Sequence, residues 1–309
     1  MSARRIFLLG LLVAIAASAG LVAAGRLDER VGLGSVTEIL ADFVWDVDRS
    51  TLNLTRISDE EENRLGAELA GFLASQPSRD AELADYVSAV GESLMPFIER
   101  RGIEYNFYVI ESDAVNALAL PGGHVAVTTG MLEKLLESEA ELAVVLGHEI
   151  AHVDRRHCVE LYQHIIALDK MGAGTVGFMA EMLRRLVARG YRQYQEVEAD
   201  EEGLRLAMAA GYDPVVGPRL FERMAGLQGE PTNRSAGSIG EEAVVSIGDL
   251  IGAYGRSHPP SRERTERLRG WTFRYRRQIG GTRFYVGKVN FELRVPRSAE
   301  PIDDEYVQR

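Results

Sequence analysis

A chain of 309 residues with 46% hydrophobic and 26% charged residues has the size and composition of a folded globular protein, and not of a disordered or fibrous one. Its formal net charge of −11 argues against sequence-independent binding to nucleic acid, which requires a basic surface. Because Cys158 is the single cysteine, an intrachain disulfide and a cysteine-based zinc site are both excluded.

Residues 1–25 have the pattern of an export segment. Arg4 and Arg5 precede an apolar stretch from Ile6 to Ala24 that contains small residues suited to a signal peptidase. The stretch is also long enough to remain as an uncleaved membrane anchor, so the sequence leaves both alternatives open. Either one predicts that the rest of the chain lies in the periplasm or on the periplasmic face of the inner membrane. Residues 26–55 are predicted to be a linker.

Helices and short strands are predicted from residue 56 onward. A capping box at Ser58–Glu61 opens a helix to about residue 74, and a second helix is predicted over about 80–100. Two alternating segments, 105–110 and 124–129, predict strands joined in a hairpin-like arrangement through a turn at 120–123. Further helices are predicted from the capping box at 138–141, over about 194–210, and over about 259–268. Segments 272–276 and 283–294 predict strands, so 271–309 is expected to be a β-rich extension.

The helix that follows Ser138 contains the pentad His148-Glu-Ile-Ala-His152. Residues four apart lie on one face of a helix, so His148 and His152 can bind the same metal ion. Imidazole is a preferred ligand of Zn²⁺, and Glu149 is placed to act as general base on a metal-bound water. Because a catalytic zinc site takes three protein ligands, the sequence must supply one more.

The helix that begins near Tyr194 offers two carboxylates on one face, Glu196 and Asp200, whereas Glu198 points elsewhere. One carboxylate would complete a His₂Glu zinc site. The other, one turn away, suits a role as acceptor of the free N–H of a ligand histidine, which fixes the orientation of that ring.

These motifs resemble the zinc metallopeptidases of the HtpX, BepA and CAAX prenyl endopeptidase type. That family has His-Glu-x-x-His followed on a later helix by Glu-x-x-Ala-Asp, matched here by 148–152 and by Glu196-Val-Glu-Ala-Asp200. The resemblance makes Glu196 the third ligand and Glu198 a bystander. It implies a zincin-like α+β fold, mainly helical, with a small sheet beside the pentad helix and one Zn²⁺ per chain. It covers about residues 55–270, so a peptidase domain is predicted over 56–270.

Other motifs of the family are also matched, among them Asn116 to Gly123 and Ser257-His258-Pro-Pro with Arg264. The resemblance places His258 and Arg264 near the metal. Both are therefore candidate donors to the oxyanion of the reaction, and His258 could instead occupy the open metal position and hold the enzyme inactive. The chain departs from the family in lacking its several transmembrane helices and any C-terminal tetratricopeptide-like region.

The predicted function is zinc-dependent endopeptidase, acting on exported or membrane-associated polypeptides in envelope quality control as the resemblance implies. The residues Gly123, His124, Val125, Ala126 and Val127 could form a strand edge to which an extended substrate adds. The alternative is a chaperone or assembly factor that holds client proteins in the same groove with little proteolysis. An intact Glu149 favours the peptidase, because a binding module does not need a general base beside its metal.

Overall fold

A computed structural model describes residues 57–73, 78, 80–168, 190–227, 258, 262–278 and 281–309. The predicted export segment at 1–25 and the predicted linker at 26–55 lie outside these residues. The chain divides into two compact units, 1–56 with 163–176 and 57–162 with 177–309. The fold described below is that of the second unit. Within the described part of the chain, no helix combines the length and the apolar character that a membrane crossing requires.

Helices account for most of the described residues. The helices are α1 (Asp59–Leu73), α2 (Ala81–Glu92), α3 (Thr129–Lys134), α4 (Glu139–Asp154), α5 (His157–Leu168), α6 (Gln193–Ala209), α7 (Val216–Leu227), α8 (Arg262–Gln278) and α9 (Lys288–Leu293). The strands are β1 (Asn106–Ile110), β2 (Ala117–Leu120), β3 (His124–Thr128), β4 (Arg283–Tyr285) and β5 (Tyr306–Gln308).

Strands β1, β2 and β3 form one sheet in the order β1-β3-β2. β1 runs parallel to β3, with Asn106 opposite His124, and β2 runs antiparallel to it, with Leu120 opposite His124. The turn between β2 and β3 uses Gly122 and Gly123 at φ +76° and +82°, a conformation that glycine adopts without strain. The predicted strands and turn are therefore present, but their hairpin-like arrangement is wrong, because β1 and β3 are parallel and the antiparallel partner of β3 is β2, which was not predicted.

The prediction that residues 123–127 form a free edge for substrate is wrong, because β3 has a hydrogen-bonded neighbour on each side. All five residues of β3 are buried. A strand covered in this way carries a near-continuous apolar run, and Val125-Ala126-Val127 is such a run. The ring of His124, at the start of the strand, lies with its Nδ1 2.9 Å from the hydroxyl of Tyr108.

The pentad helix α4 lies at the centre of the core, with all sixteen of its residues buried. It packs against β2 on one side and crosses α6 on another. The crossing is close because Gly147 faces Gly203: a Cβ added at Gly203 would lie 2.5 Å from the backbone nitrogen of His148. The predicted α+β fold, mainly helical with a small sheet beside the pentad helix, is confirmed.

The strand predicted at 272–276 is wrong, since α8 continues to Gln278. Leu268, Trp271 and Thr272 are buried, and the ring of Tyr275 lies 3.9 Å from that of Trp271, so the apolar positions follow the helical period. Phe273, which made the segment look alternating, is 66% exposed.

The long strand predicted at 283–294 is also wrong beyond its first residues. β4 ends at Tyr285, and Gly287 at φ +71° turns the chain into α9. The 281–309 segment packs on the start of the pentad helix, where the backbone N–H of Glu139 donates to the carbonyl of Gly287 at 3.0 Å. Helix and strand are therefore mixed in the extension that was predicted to be β-rich. Its boundary as a separate domain stays a prediction.

Candidate metal centre

The two histidines of the pentad are brought together by the helix that carries them. α4 begins at an N-cap, Ser138, whose hydroxyl accepts a hydrogen bond from the backbone N–H of Glu141, and acidic residues lie in its first turn. His148 and His152 are separated by one helical turn, and their Nε2 atoms lie 3.0 Å apart. Both rings are buried, with 2% and 0% of their surface exposed.

Helix α6 supplies the carboxylate that faces this pair. The oxygens of Glu196 lie 3.7 Å from His148 Nε2 and 3.5 Å from His152 Nε2. The close crossing at Gly147 and Gly203 makes this approach possible, because any larger side chain there would hold the helices apart.

His258 completes a cluster of four with His148, His152 and Glu196, in which all ligand atoms lie within 4.8 Å of one another. His258 Nδ1 is 2.9 Å from Glu196 Oε1 and 3.2 Å from His148 Nε2, and the residue is 1% exposed.

The spacing of the cluster fits a tetrahedral metal ion. Zinc bonds of about 2.0–2.1 Å place neighbouring tetrahedral ligands about 3.3 Å apart. The neighbouring ligand atoms lie 2.9–3.7 Å apart, which scatters around that value, and all four lie within 4.8 Å of one another. Burying three imidazoles and a carboxylate face to face is costly unless they are paired or bind a cation. The residues present therefore fit a metal ion with nitrogen and oxygen ligands.

Asp200 and Arg264 lie behind the ligands. Asp200 Oδ1 is 3.0 Å from His148 Nδ1, the ring nitrogen that faces away from the cluster. The guanidinium of Arg264 donates from Nε and Nη2 to the two oxygens of Asp200, both at 2.7 Å, and its Nη1 lies 2.8 Å from Glu196 Oε2. Because Arg264 is 1% exposed, its charge acts on these carboxylates with little screening by water.

The charges in the cluster are strongly coupled. Burial alone would raise the pKa of Glu196, but the positive charge and hydrogen bond of His258, together with His148 and Arg264, lower the pKa to about 2. Burial lowers the pKa of His152 well below its usual value, and the neighbouring histidines add to this effect. Glu196 is therefore anionic and His152 neutral, which are the forms that bind a metal ion.

Glu149 is 0% exposed beside the cluster, and one of its oxygens lies 3.6 Å from His258 Nε2. Among the described residues, neither carboxylate oxygen has a hydrogen-bond partner. Burial raises the pKa of Glu149, although the positive charge of His258 opposes this shift. A buried carboxylate with a raised pKa is suited to accepting and returning a proton.

Two residues that contact the site were not predicted. Tyr191 stacks on the ring of His152, with the ring centroids 3.6 Å apart and the planes 15° from parallel. His157 lies with its Nδ1 3.0 Å from His152 Nδ1. On a helix that continued past Asp154, His157 would lie on the opposite face from His148. The helix instead ends at Asp154, and the next one begins at His157.

Comparison with known proteins identifies the family. The family model for Peptidase family M48 matches residues 81–272, more than half of the chain. Mitochondrial metalloendopeptidase OMA1 of Arabidopsis thaliana is 32% identical over 181 residues, which make up 54% of this chain and 31% of the relative. The beta-barrel assembly-enhancing protease of Yersinia pestis is 28% identical over 165 residues, 47% of this chain and 33% of the relative.

The metalloendopeptidase OMA1 of Schizosaccharomyces pombe is 28% identical over 193 residues, 60% of this chain and 52% of the relative. The matched residues thus span about a third to a half of the length of these curated relatives. These relatives are named as metalloendopeptidases or as a protease, which is the enzyme class that the sequence predicts. The family recognised from the pentad and the later Glu-x-x-Ala-Asp motif is confirmed: the chain belongs to peptidase family M48.

Proposed function

We propose that the protein is a zinc-dependent endopeptidase whose metal is held by His148, His152 and Glu196. The observation that carries this proposal is the convergence of these three ligand atoms and that of His258 to within 4.8 Å of one another in a buried site. When bound, zinc supplies a Lewis acid that polarises the scissile carbonyl and acidifies the attacking water.

Glu149 is the proposed general base. Its buried carboxylate adjoins the cluster, and neither oxygen has a hydrogen-bond partner in the part of the chain that the structure describes, so it can accept the proton of the attacking water and pass it to the leaving amine. A protein that only held clients would have no use for such a group. This feature favours the peptidase over the chaperone alternative.

The positions of His258 and Arg264 support different roles for the two residues. His258 is close enough to His148 and Glu196 to act as a fourth ligand, which supports the alternative in which it closes the open metal position. Its withdrawal would admit substrate. Arg264 is engaged with Asp200 and Glu196, so we assign it to orienting the ligands and not to the oxyanion.

The substrates proposed for this site are exported or membrane-associated polypeptides, with a role in envelope quality control. The export pattern of residues 1–25 supports this location. One relative is named for β-barrel assembly and others for mitochondria, so the compartment and the substrates are matters for experiment.

Two measurements test the proposal. Glu196→Ala should lose zinc, whereas Glu201→Ala, a matched change on the same helix, should retain one zinc per chain.

Glu149→Gln should retain zinc and lose cleavage of an unfolded substrate such as casein, and His258→Ala should cleave casein faster than the wild type. Equal zinc in Glu196→Ala and wild type would exclude the ligand set. Client protection in cells that is undiminished in Glu149→Gln would favour the chaperone.

A further inference from the structure

A break in the helical backbone follows the metal helix directly. α4 ends at Asp154, and Arg156 adopts the left-handed conformation at φ +64°, which is unfavourable for an arginine. Its side chain is held there by the carboxylate of Asp59 at 2.5 Å and the carbonyl of Ile57 at 3.2 Å. The turn places His157 against His152, where it is buried with 2% of its surface exposed. A backbone conformation of this cost persists where the surrounding contacts enforce it.

His157 connects the metal ligand to a carboxylate on α6. One ring nitrogen, Nδ1, lies 3.0 Å from His152 Nδ1, and the other, Nε2, lies 3.4 Å from Glu198 Oε2. The Glu198 side chain is 46% exposed, so this series of groups reaches from the buried cluster to the surface. The acid run that contains Glu196 and Asp200 thus has its third member, Glu198, directed at His157, the neighbour of the second pentad histidine.

The arrangement fixes where the ring protons lie. A ligand histidine that binds metal through Nε2 carries its proton on Nδ1. For His152 this N–H points at His157 Nδ1, which must then be the acceptor. His157 therefore carries its proton on Nε2 and directs it at the carboxylate of Glu198. Each group in the series has one defined role as donor or acceptor.

We propose that Glu198 and His157 are positioning residues that orient His152 as a metal ligand through a carboxylate–histidine–histidine series. The two pentad histidines are thus held differently, because His148 faces a carboxylate, Asp200, directly. Tyr191 fixes the plane of the His152 ring by stacking, whereas His157 fixes its rotation and tautomer. This inference rests on the proposed metal site at His148, His152 and Glu196.

The ring protons can be observed directly. Because the chain has 6 histidines, long-range ¹H–¹⁵N spectra of the full, zinc-loaded protein with ¹⁵N-labelled histidine give a small set of tautomer patterns. His157→Asn identifies the signals of His157 by their loss. We expect His157 to be protonated at Nε2 and His152 at Nδ1. A wild-type His157 protonated at Nδ1 would overturn the proposal.

Release of zinc to a chromophoric chelator measures the effect on the metal. Removing an outer partner of a ligand histidine costs about 10- to 100-fold in metal affinity. His157→Phe should therefore release zinc about 10- to 100-fold faster, and Glu198→Ala about tenfold faster. His157→Asn should retain much of the wild-type behaviour, because its amide oxygen can accept the same hydrogen bond.

Glu201→Ala is the matched control, and its rate of zinc release should equal that of the wild type. Since Glu198 is exposed, Glu198→Ala tests the proposal even where His157→Phe fails to fold. If Glu198→Ala binds as much zinc as the wild type and releases it at the same rate, the positioning role is overturned and the metal site stays intact. A wild-type protein that binds no zinc would instead overturn the proposed function, and the series with it.

Discussion

Replacing Gly203 by alanine should separate the ligands of the metal site while leaving the protein folded. The added Cβ would lie 2.5 Å from the backbone nitrogen of His148 and 2.8 Å from the carbonyl carbon of Gly147. An ordinary contact of about 3.5 Å requires α6 to move away from α4 by about 1 Å. Glu196 lies on the same face of α6, seven residues earlier, so it moves with the helix.

The consequences for metal binding and for stability differ in size. Metal–ligand distances hold to within about 0.2 Å, so a shift of about 1 Å removes Glu196 from coordination. We expect zinc affinity to fall about tenfold or more. The crowding costs about 1–3 kcal/mol, but alanine is about 1 kcal/mol better than glycine within a helix. The net loss in the free energy of unfolding should then be about 0–2 kcal/mol.

The assay combines zinc content after dialysis against a chelator with thermal unfolding followed by circular dichroism. Gly71→Ala is the control, because a Cβ at this exposed position of α1 meets no described residue within 4 Å. It should raise stability by about 1 kcal/mol and leave zinc affinity unchanged. If Gly203→Ala is folded and binds zinc as tightly as the wild type, the close helix crossing does not set the site geometry.

Three further predictions concern the groups around the site. Arg264→Met removes the buried guanidinium partner of Asp200 and Glu196, so metal-free protein should lose about 3–5 kcal/mol in urea unfolding; an unchanged midpoint would argue against this pairing. Ser138→Ala removes the N-cap of α4 and should cost about 1 kcal/mol without changing zinc content, as measured by thermal unfolding and elemental analysis. Burial raises the pKa of Glu202, but Arg205 and Arg155 outweigh it and lower the pKa below the usual 4.5. A carboxyl whose pKa is lowered in the folded protein stabilises the fold above pH 4.5, and this stability is lost as the pH falls below 4.5. The melting temperature of Glu202→Gln should therefore decline less than that of the wild type below pH 4.5. Equal declines in the two proteins would contradict this prediction.

The sequence predicted the elements whose signals are local. The capping box at Ser138 marked the start of the metal helix, and the four-residue spacing of His148 and His152 predicted their shared face. Asp200 lies at the distance from His148 that its predicted role requires. The first two of these inferences depend on residues within one or two helical turns, where backbone geometry alone fixes the relation between side chains, whereas the contact of Asp200 with His148 joins two separate helices.

The predictions that failed depend on neighbours that are distant in the chain. β3 could not be recognised as a central strand, because its partners on both sides are set by the pairing of three separate segments. The alternation at 272–276 fitted a strand, and only the packing of Trp271 and Tyr275 made it helical. A helix that continued past Asp154 would place His157 on the face opposite His148, but the helix ends there and Arg156, held by Asp59, adopts the left-handed conformation.

The sequence by itself determined the chemistry of the protein: a two-histidine helix, a later helix of carboxylates and the M48 family to which both belong. Only the tertiary structure decided which groups meet. It brought His258 within 3.2 Å of His148, turned Arg264 onto the carboxylates and linked Glu198 to His152 through His157. The physical reason is that spacing along a helix fixes contacts within it. Contacts between helices depend instead on how closely their backbones approach, which here is set by glycine against glycine.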